Sequence, residues 1–416
     1  MQHHSTHLRS RACLLGLAIV LLAAAASSGA AESSERKRAG PPEPSNVPWI
    51  DPGSERALEQ AIRRYRRIAA EGGWPELPGR TVLRLGDSDA NVSILRRRLQ
   101  LSGDLAANVG DDQAFDQVVE AAVKRYQRRH GLDPTGVVYG ITQRSMNVSA
   151  ADRVQQLERN LARVRELAPR IAAAPRYVVM NAASFELQAI SAGRVEVASR
   201  TIAGKRATPT PVVSASIQAI NLLPYWHVPG TIAKAALIPA VRKDPSYLYR
   251  ERIRVFSSFG GEEIDPSTVN WWGPEAERYA FRQEPGPHNA LGLLRFDMPN
   301  KHIVYMHDTP MKKLFGYFER AYSAGCIRVQ GFYDLAAWVL AGQDGWTAAR
   351  LQQAAESGMA ETIKLKRPVP VHFVYLTAWV EGGEIQFRND LYNRDEGPNE
   401  TGEDAASRVL TQSIAP

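Results

Sequence analysis

The sequence predicts a multidomain chain: a small α-helical module followed by a mainly β domain that carries an inserted α/β lid. Three observations predict it. The chain has 416 residues, beyond the size at which a single hydrophobic core keeps growing. The hydrophobic period changes from helical to alternating at Arg176. Residues 232–290 are too long to be a simple connection inside a β domain. Apolar and charged fractions of 44% and 23% are ordinary for a globular protein. The net charge is +7, with the arginines scattered along helices rather than gathered in a dense run. That pattern reads as solubility and affinity for an anionic wall or membrane surface. No recognition motif accompanies it, so no nucleic-acid partner is expected.

The first residues read as a leader. Arg9 and Arg11 form a positive region, residues 13–26 are apolar, and Ser28-Gly29-Ala30 resembles a small-x-small cleavage site. Residues 1–30 are therefore expected to be a signal peptide, and the mature protein to be periplasmic. The apolar stretch is too short for a stable span, and no later apolar segment is expected to be long enough to span a bilayer. Residues 31–53, with Pro41, Pro42 and Pro44, read as a flexible tether. A scaffold helix follows within 54–81, capped by Ser54, with Leu58, Ala61, Ile62, Tyr65 and Ile68 at helical spacing.

Residues 82–148 read as a compact unit of three helices. The first carries Val92, Leu95 and Leu99, the second Val118, Ala122, Val123 and Tyr126, and Thr142 caps the third. Its polar ends near Gln127 and Asp133 are the candidate binding surface; a purely structural spacer is the competing reading. Residues 149–175 read as a connector helix, with Val154, Leu157, Leu161 and Val164 in its stripe. From Arg176 short strands dominate: 177–180, 185–190, 195–203, 215–221, 292–297 and 303–306. Pro224-Tyr225-Trp226-His227-Val228-Pro229 is either a substrate wall or core packing. The aromatic-rich 232–290 insertion reads as a lid, with Trp271 and Trp272 in its core. Helices are expected at 331–341 and 347–357, then a strand pair from 371–378 and 384–387. Residues 395–416 read as a disordered tail.

The chemistry concentrates between His307 and Arg328. A histidine ends an apolar run. After a helical-looking excursion, Ser323-Ala324-Gly325 delivers Cys326, with Arg328 just beyond. A thiol is mostly protonated at neutral pH and needs an imidazole or cationic surroundings to act as a nucleophile. Cys326 is the only cysteine left once the leader is removed, so it forms no internal disulfide. Gly325 permits close backbone approach and could aim N–H groups at an oxyanion. A zinc site is not expected. His130, His227, His288, His302, His307 and His372 show no ligand-type spacing, and no cofactor is called for.

The order His, spacer, Ser-x-Gly-Cys-hydrophobic-Arg resembles the active-site signature of the L,D-transpeptidase family. The likeness is to its large branch, in which a YkuD-type catalytic domain is joined to a peptidoglycan-binding domain and a lid insertion. Ala324 departs from the pattern, since many members carry a histidine there. The run 204–211 and the exit Arg282-Gln283-x-Pro285-Gly286-x-x-Asn289-x-Leu291-Gly292 match the family, and residues 82–148 resemble its three-helix module. The resemblance implies catalysis by residues 176–394. Cys326 would attack the bond from diaminopimelate to D-alanine in a stem tetrapeptide, His307 would shuttle the proton, and a second stem's amine would give a 3→3 cross-link. It implies that Tyr305, with the N–H groups of Gly325 and Cys326, stabilises the oxyanion, and that Ser323 and Arg328 belong to the substrate-binding set. Tyr305 as a core residue and Arg328 in a structural salt bridge are the competing readings. Asp308 is expected to face away from His307, leaving a backbone carbonyl to orient the imidazole. The helix after Cys326 would favour the thiolate if it began close behind the thiol. The implied partners are peptidoglycan stem peptides, with other cell-wall synthesis proteins as further candidates. An L,D-carboxypeptidase, a protein-tethering relative and a non-catalytic wall-binding scaffold are the alternatives.

Overall fold

The computed structural model describes residues 41, 43–107, 112–358 and 360–395. The expected leader, and the expected tail beyond Asp395, lie outside the described residues. Asp395 itself is tied down by Arg163 at 2.7 Å and by the Thr377 hydroxyl at 2.6 Å. No helix among the described residues is long and apolar enough to cross a membrane.

Five helices open the chain: α1 (Ser54–Ala70), α2 (Ala90–Ser102), α3 (Gln117–Arg129), α4 (Ile141–Met146) and α5 (Ala150–Ala172). Side-chain caps start three of them. Asp89, Asp116 and Ser149 accept from the N–H groups of Asn91, Val119 and Asp152. Two expected caps are corrected. Ser54 lies inside α1 and its hydroxyl accepts from the Asp51 N–H. Thr142 lies inside α4, where its hydroxyl meets the Gln127 amide at 3.1 Å. Gln127 is likewise no surface residue. Fully buried, it also holds the Val137 carbonyl and the Gly136 N–H, bracketing the turn after α3.

The expected tether also needs correction. From residue 43 onward the chain is docked. The Gln188 side chain binds the carbonyls of Ser45 and Val47, and Trp49, only 1% exposed, meets Trp379 edge-on at 6.2 Å. Trp49 and Ile50 carry enough apolar surface to seat a segment that its prolines mark as a linker.

The β domain is built from β1 (Arg176–Asn181), β2 (Glu186–Ser191), β3 (Arg194–Gly204), β4 (Val213–Leu222), the lid strands β5 (Trp226–His227), β6 (Ile253–Phe256), β7 (Glu263–Ile264) and β8 (Ala280–Gln283), then β9 (Leu294–Asp297), β10 (Met306–His307), β11 (Ala321–Ser323), β12 (Ile327–Val329) and β13 (Glu361–Val374), and a final hairpin of β14 (Ala378–Glu381) with β15 (Glu384–Phe387). The main sheet runs β11-β3-β12-β10-β9-β4-β13-β1-β2, and β2 pairs back onto β3, closing a ring. Inside lie Val178, Met180, Phe296, Met306, Ile327 and Val371 with the helix Phe332–Val339. Outside, Tyr177, Val179 and Ile190 pack under α1, α5 and the β14–β15 hairpin. Strands covered on both faces are buried along their length, which is why β1 reads as a near-continuous apolar run and why Gln188 of β2 is fully buried although polar.

Two β readings change. The expected last strand begins ten residues earlier, at Glu361, and pairs with both β1 and β4. Pro368 and Pro370 hide it, and the register shifts between Lys364 and Val369, where Pro368 is accommodated, while Pro370 pairs in register with Ser216. The expected 303–306 strand shrinks to Met306–His307, because Ile303 sits at φ +54°, 80% exposed. The excursion after His307 holds only a 3₁₀ turn, Lys312–Gly316.

The helical module has its own core around Leu95, Leu99, Val119, Val123 and Tyr126, and it is docked firmly on the β domain. Arg98 lies 3.8 Å over the ring of Trp74, in the segment after α1 that packs on the outer face of the β domain. His130 stacks between Tyr126 and Phe387, at 3.7 and 5.2 Å. Arg129 bonds the Ile385 carbonyl, and Arg388 returns a bond to the Arg129 carbonyl. Arg129 is itself paired with Asp104, both buried. Asp104→Ala is therefore expected to strand a buried guanidinium and destabilise the protein by about 3–5 kcal/mol in denaturant unfolding. A loss below about 1 kcal/mol would mean that water or another acceptor replaces the carboxylate.

Candidate active site

The site follows from sheet register. β10 and β12 are parallel neighbours with Met306 beside Ile327 and His307 beside Arg328. One step earlier, the Ile327 N–H bonds the Tyr305 carbonyl at 2.9 Å, placing Tyr305 next to Cys326. Side chains alternate along a strand. Met306 and Ile327 enter the barrel core, with no exposed surface. Tyr305, His307, Cys326 and Arg328 therefore share the opposite face. The Tyr305 and His307 rings confirm it, edge-on at 5.7 Å. On the other side of β10, Arg295 is the register partner of His307, and its guanidinium lies 5.4 Å over the Tyr305 ring. A single row across the sheet thus reads Arg295, His307, Arg328.

His307 is 5% exposed. Its Nδ1–H donates to the Asp308 carbonyl at 2.5 Å, which leaves Nε2 as the free lone pair. The Asp308 carboxylate turns elsewhere, to the Leu293 N–H at 3.0 Å and to Lys312. The expectation of a carbonyl-held imidazole is met by this residue's own backbone. Burial, then the Arg328 charge, push the His307 pKa down to about 3, against the Asp308 and Leu291 carbonyls. Burial pushes the Cys326 thiol above its ordinary value; the Tyr305 N–H, Arg328 and the Tyr305 hydroxyl oppose that rise. Burial and the neighbouring thiol raise the Tyr305 phenol. The resting site is thus a neutral thiol beside a neutral imidazole, ringed by cations. The helix Phe332–Val339 does not change this. It begins after β12 and not directly behind the thiol.

Arg328 makes no ion pair among the described residues. Its Nη1 touches the Met311 sulfur at 3.5 Å and its Nε is buried without a partner. That favours a guanidinium kept for a ligand over a structural salt bridge. Ser323 and Gly325 fare differently. The Ser323 hydroxyl donates to the Cys326 carbonyl at 2.6 Å and accepts the Gly325 N–H at 3.1 Å. Ser323 is therefore a latch inside the turn, with its hydroxyl fully occupied. The Gly325 N–H is already engaged and is not free for an oxyanion. The N–H of Cys326 and the Tyr305 hydroxyl remain as donors beside the thiol. Gly325 sits at φ +116°, a conformation that L side chains rarely adopt.

Sequence reading passed over two supports. Thr210, fully buried, bonds the Gly325 carbonyl and the Gly204 N–H, both at 2.9 Å, clamping the 204–210 loop under the thiol turn. Gly204 allows this, because a Cβ there would sit 2.1 Å from the Thr208 carbonyl oxygen. The Thr-Pro-Thr-Pro run was the available signal. Arg295 was the other, hidden in a strand that reads only as Leu-Arg-Phe-Asp.

The lid has its own sheet, β5-β8-β6-β7, and its own core of Leu237, Val241, Val255 and Phe281. Trp271 packs against that core, whereas Trp272 is 76% exposed and belongs to no core. Trp226 packs against the lid core, and its indole near the Tyr305 hydroxyl opposes the rise of the phenol's pKa. The exit motif is a staple. Asn289, fully buried, bonds the carbonyls of Pro224 and Glu284, and Gln283 bonds those of Glu251 and His288. Among the described residues no three His, Cys, Asp or Glu side chains converge as metal ligands.

Comparison with known proteins bears on the same segments. A family model described as the L,D-transpeptidase catalytic domain, YkuD, matches residues 175–356, and one described as "Putative peptidoglycan binding domain" matches residues 88–145. The chain carries a YkuD-type L,D-transpeptidase catalytic domain. A protein of Haemophilus influenzae named "Putative L,D-transpeptidase" is 31% identical over 223 residues, 53% of this chain and 45% of that protein. The chain thus spans about half the length of the curated relative that it matches. Among solved structures, an L,D-transpeptidase of Xylanimonas cellulosilytica shares 14% identity over 72% of this chain and 100% of that one, with a TM-score of 0.20. A C442S L,D-transpeptidase of Enterococcus faecium shares 10% over 51% and 63%, with a TM-score of 0.24. The catalytic-domain match includes every residue of the Arg295–His307–Arg328 row together with Tyr305 and Cys326. It also includes the whole lid, so in this transpeptidase domain the lid is an insertion between β4 and β9.

Proposed function

We propose that this protein is a cysteine-dependent L,D-transpeptidase of the cell wall, exported by its leader to the periplasm. The observation that carries the proposal is the shared sheet face that brings Cys326, His307, Tyr305 and Arg328 together beneath a lid. Cys326 attacks the carbonyl between diaminopimelate and D-alanine of a tetrapeptide stem. As the S–C bond forms, the thiol proton passes to Nε2 of His307. Tyr305 and the Cys326 N–H hold the oxyanion. The tetrahedral intermediate collapses to a thioester, and His307 protonates the departing D-alanine amine. The side-chain amine of a second stem's diaminopimelate then attacks the thioester, gives its proton to His307, and releases the thiol with a 3→3 cross-link in place. Arg328, without a carboxylate of its own, holds one from the stem.

The test is muropeptide mass spectrometry on the mature protein with a disaccharide-tetrapeptide. A cross-linked dimer formed together with free D-alanine is the expected result. D-alanine without dimer would reassign the protein as an L,D-carboxypeptidase, and neither product would overturn the enzymatic reading. Covalent capture of a carbapenem on Cys326 is the expected companion result.

A further inference from the structure

The turn that delivers the thiol is fixed one peptide unit at a time. The Ser323 hydroxyl accepts the Gly325 N–H at 3.1 Å and donates to the Cys326 carbonyl at 2.6 Å. The Ile327 N–H, in the same peptide unit as that carbonyl, donates to the Tyr305 carbonyl at 2.9 Å. The unit between them joins the Gly325 carbonyl to the Cys326 N–H. A trans peptide is planar, with its C=O and N–H pointing in opposite directions. Whatever holds the Gly325 carbonyl therefore sets where the Cys326 N–H points, and that N–H is a donor left for an oxyanion. The holder is Thr210. Fully buried, its hydroxyl donates to the Gly325 carbonyl and accepts the Gly204 N–H, both at 2.9 Å. Hydrogen bonds in such a chain polarise one another, which makes the Cys326 N–H a stronger donor. Thr210 is held in turn from far along the chain. The Tyr392 hydroxyl donates to the Gly204 carbonyl at 2.7 Å and accepts the Thr210 N–H at 3.4 Å, and Arg394 bonds the Thr210 carbonyl at 3.0 Å. Tyr392 stacks on Tyr375 at 5.2 Å, and Asp390 ties the Tyr375 hydroxyl and the Arg394 N–H at 2.8 and 2.9 Å. Residues 390–394 lie beyond the segment matched by the catalytic-domain family.

We propose that Thr210 is a positioning residue for acyl transfer. By holding the Gly325 carbonyl it aims the Cys326 N–H at the oxyanion that forms when the thiol adds to a carbonyl, and Tyr392 and Arg394 hold Thr210 in place. This deepens the proposed transpeptidase reading and rests on it. Among the described residues Thr210 bonds neither the thiol nor His307. It therefore serves addition to a carbonyl without serving the reactivity of the thiol itself.

The test compares two reactions of Cys326 in the full mature chain, each followed by intact-protein mass spectrometry. Acylation by a carbapenem passes through an oxyanion. Alkylation by iodoacetamide, a substitution at a saturated carbon, does not. Thr210→Val, which keeps the branched shape and loses the hydroxyl, is expected to slow acylation roughly ten- to hundredfold and to leave alkylation within about twofold. Thr210→Ser, which keeps the hydroxyl, is expected to acylate within about threefold of the unmodified protein. Tyr392→Phe is expected to show the same split at a smaller size, about three- to tenfold, and it carries the test should Thr210→Val fail to fold. Normal acylation of the variant that carries the test overturns the proposal, and so does an equal loss of both reactions. A Thr210→Ser protein as slow as Thr210→Val also overturns it. An unmodified protein that takes the carbapenem yet releases no D-alanine from the tetrapeptide overturns the proposed substrate, and leaves the ratio of acylation to alkylation to decide Thr210 by itself.

Discussion

Cys326→Ala is expected to lower turnover roughly 10⁴-fold or more and to abolish any acyl adduct in intact-protein mass spectrometry. The side chain is small and only partly buried, its strand neighbours face the core independently of it, and the turn before it is latched by Ser323 and Thr210. The variant should therefore fold and keep its thermal transition. A variant that still releases D-alanine at more than about one hundredth of the normal rate would sink the thiol as nucleophile.

The second large effect concerns His307→Gln, expected to cost roughly 10²–10⁴-fold in kcat/KM. The pH profile distinguishes a lost base from a disturbed fold. In the native protein the imidazole stays unprotonated down to about pH 3. A base fails only below its pKa, so kcat/KM should show no acid limb near the ordinary histidine value of about 6.5. In the variant the thiol must ionise unaided, and burial holds its pKa above the usual value. Its residual rate should then climb about tenfold per pH unit between roughly pH 7 and 9. A variant within about tenfold of the native rate, or a native profile that falls off near pH 6.5, would remove His307 from the proposed role.

Much of the candidate site was legible because it lies in one short stretch. A histidine after an apolar run and a thiol after small residues announce themselves by type and order. Their relation in space was not legible, since it depends on β10 and β12 being neighbours, and each is too short for its period to be read. The same shortness made Gly325 look like an oxyanion donor. In the folded turn the Ser323 hydroxyl takes its N–H. The helices were plain from their stripes, and α1 down to its ends, but α5 runs on through Pro169 to Ala172, and in α3 Val119 takes the core position expected of Val118, which is exposed. β13 was not plain, because its prolines break the pattern in the middle of the barrel. Gln127 misled for a different reason. A polar side chain beside a glycine-rich turn reads as surface, yet a buried amide with four bonding positions is also a way to hold such a turn closed.

The stacked joint between the helical module and the β domain has a consequence for wall architecture. His130 between Tyr126 and Phe387 and the reciprocal bonds of Arg129 and Arg388 hold the two together, and Arg98 on Trp74 ties the module to the segment packed on the β domain's outer face. A strand gripped by the module would meet the cleft at one phase and one distance, as cloth meets a needle beneath a fixed presser foot. Stitch spacing along the polymer would then be written into the joint rather than into substrate supply. Loosening it would scatter the stitches without slowing the needle.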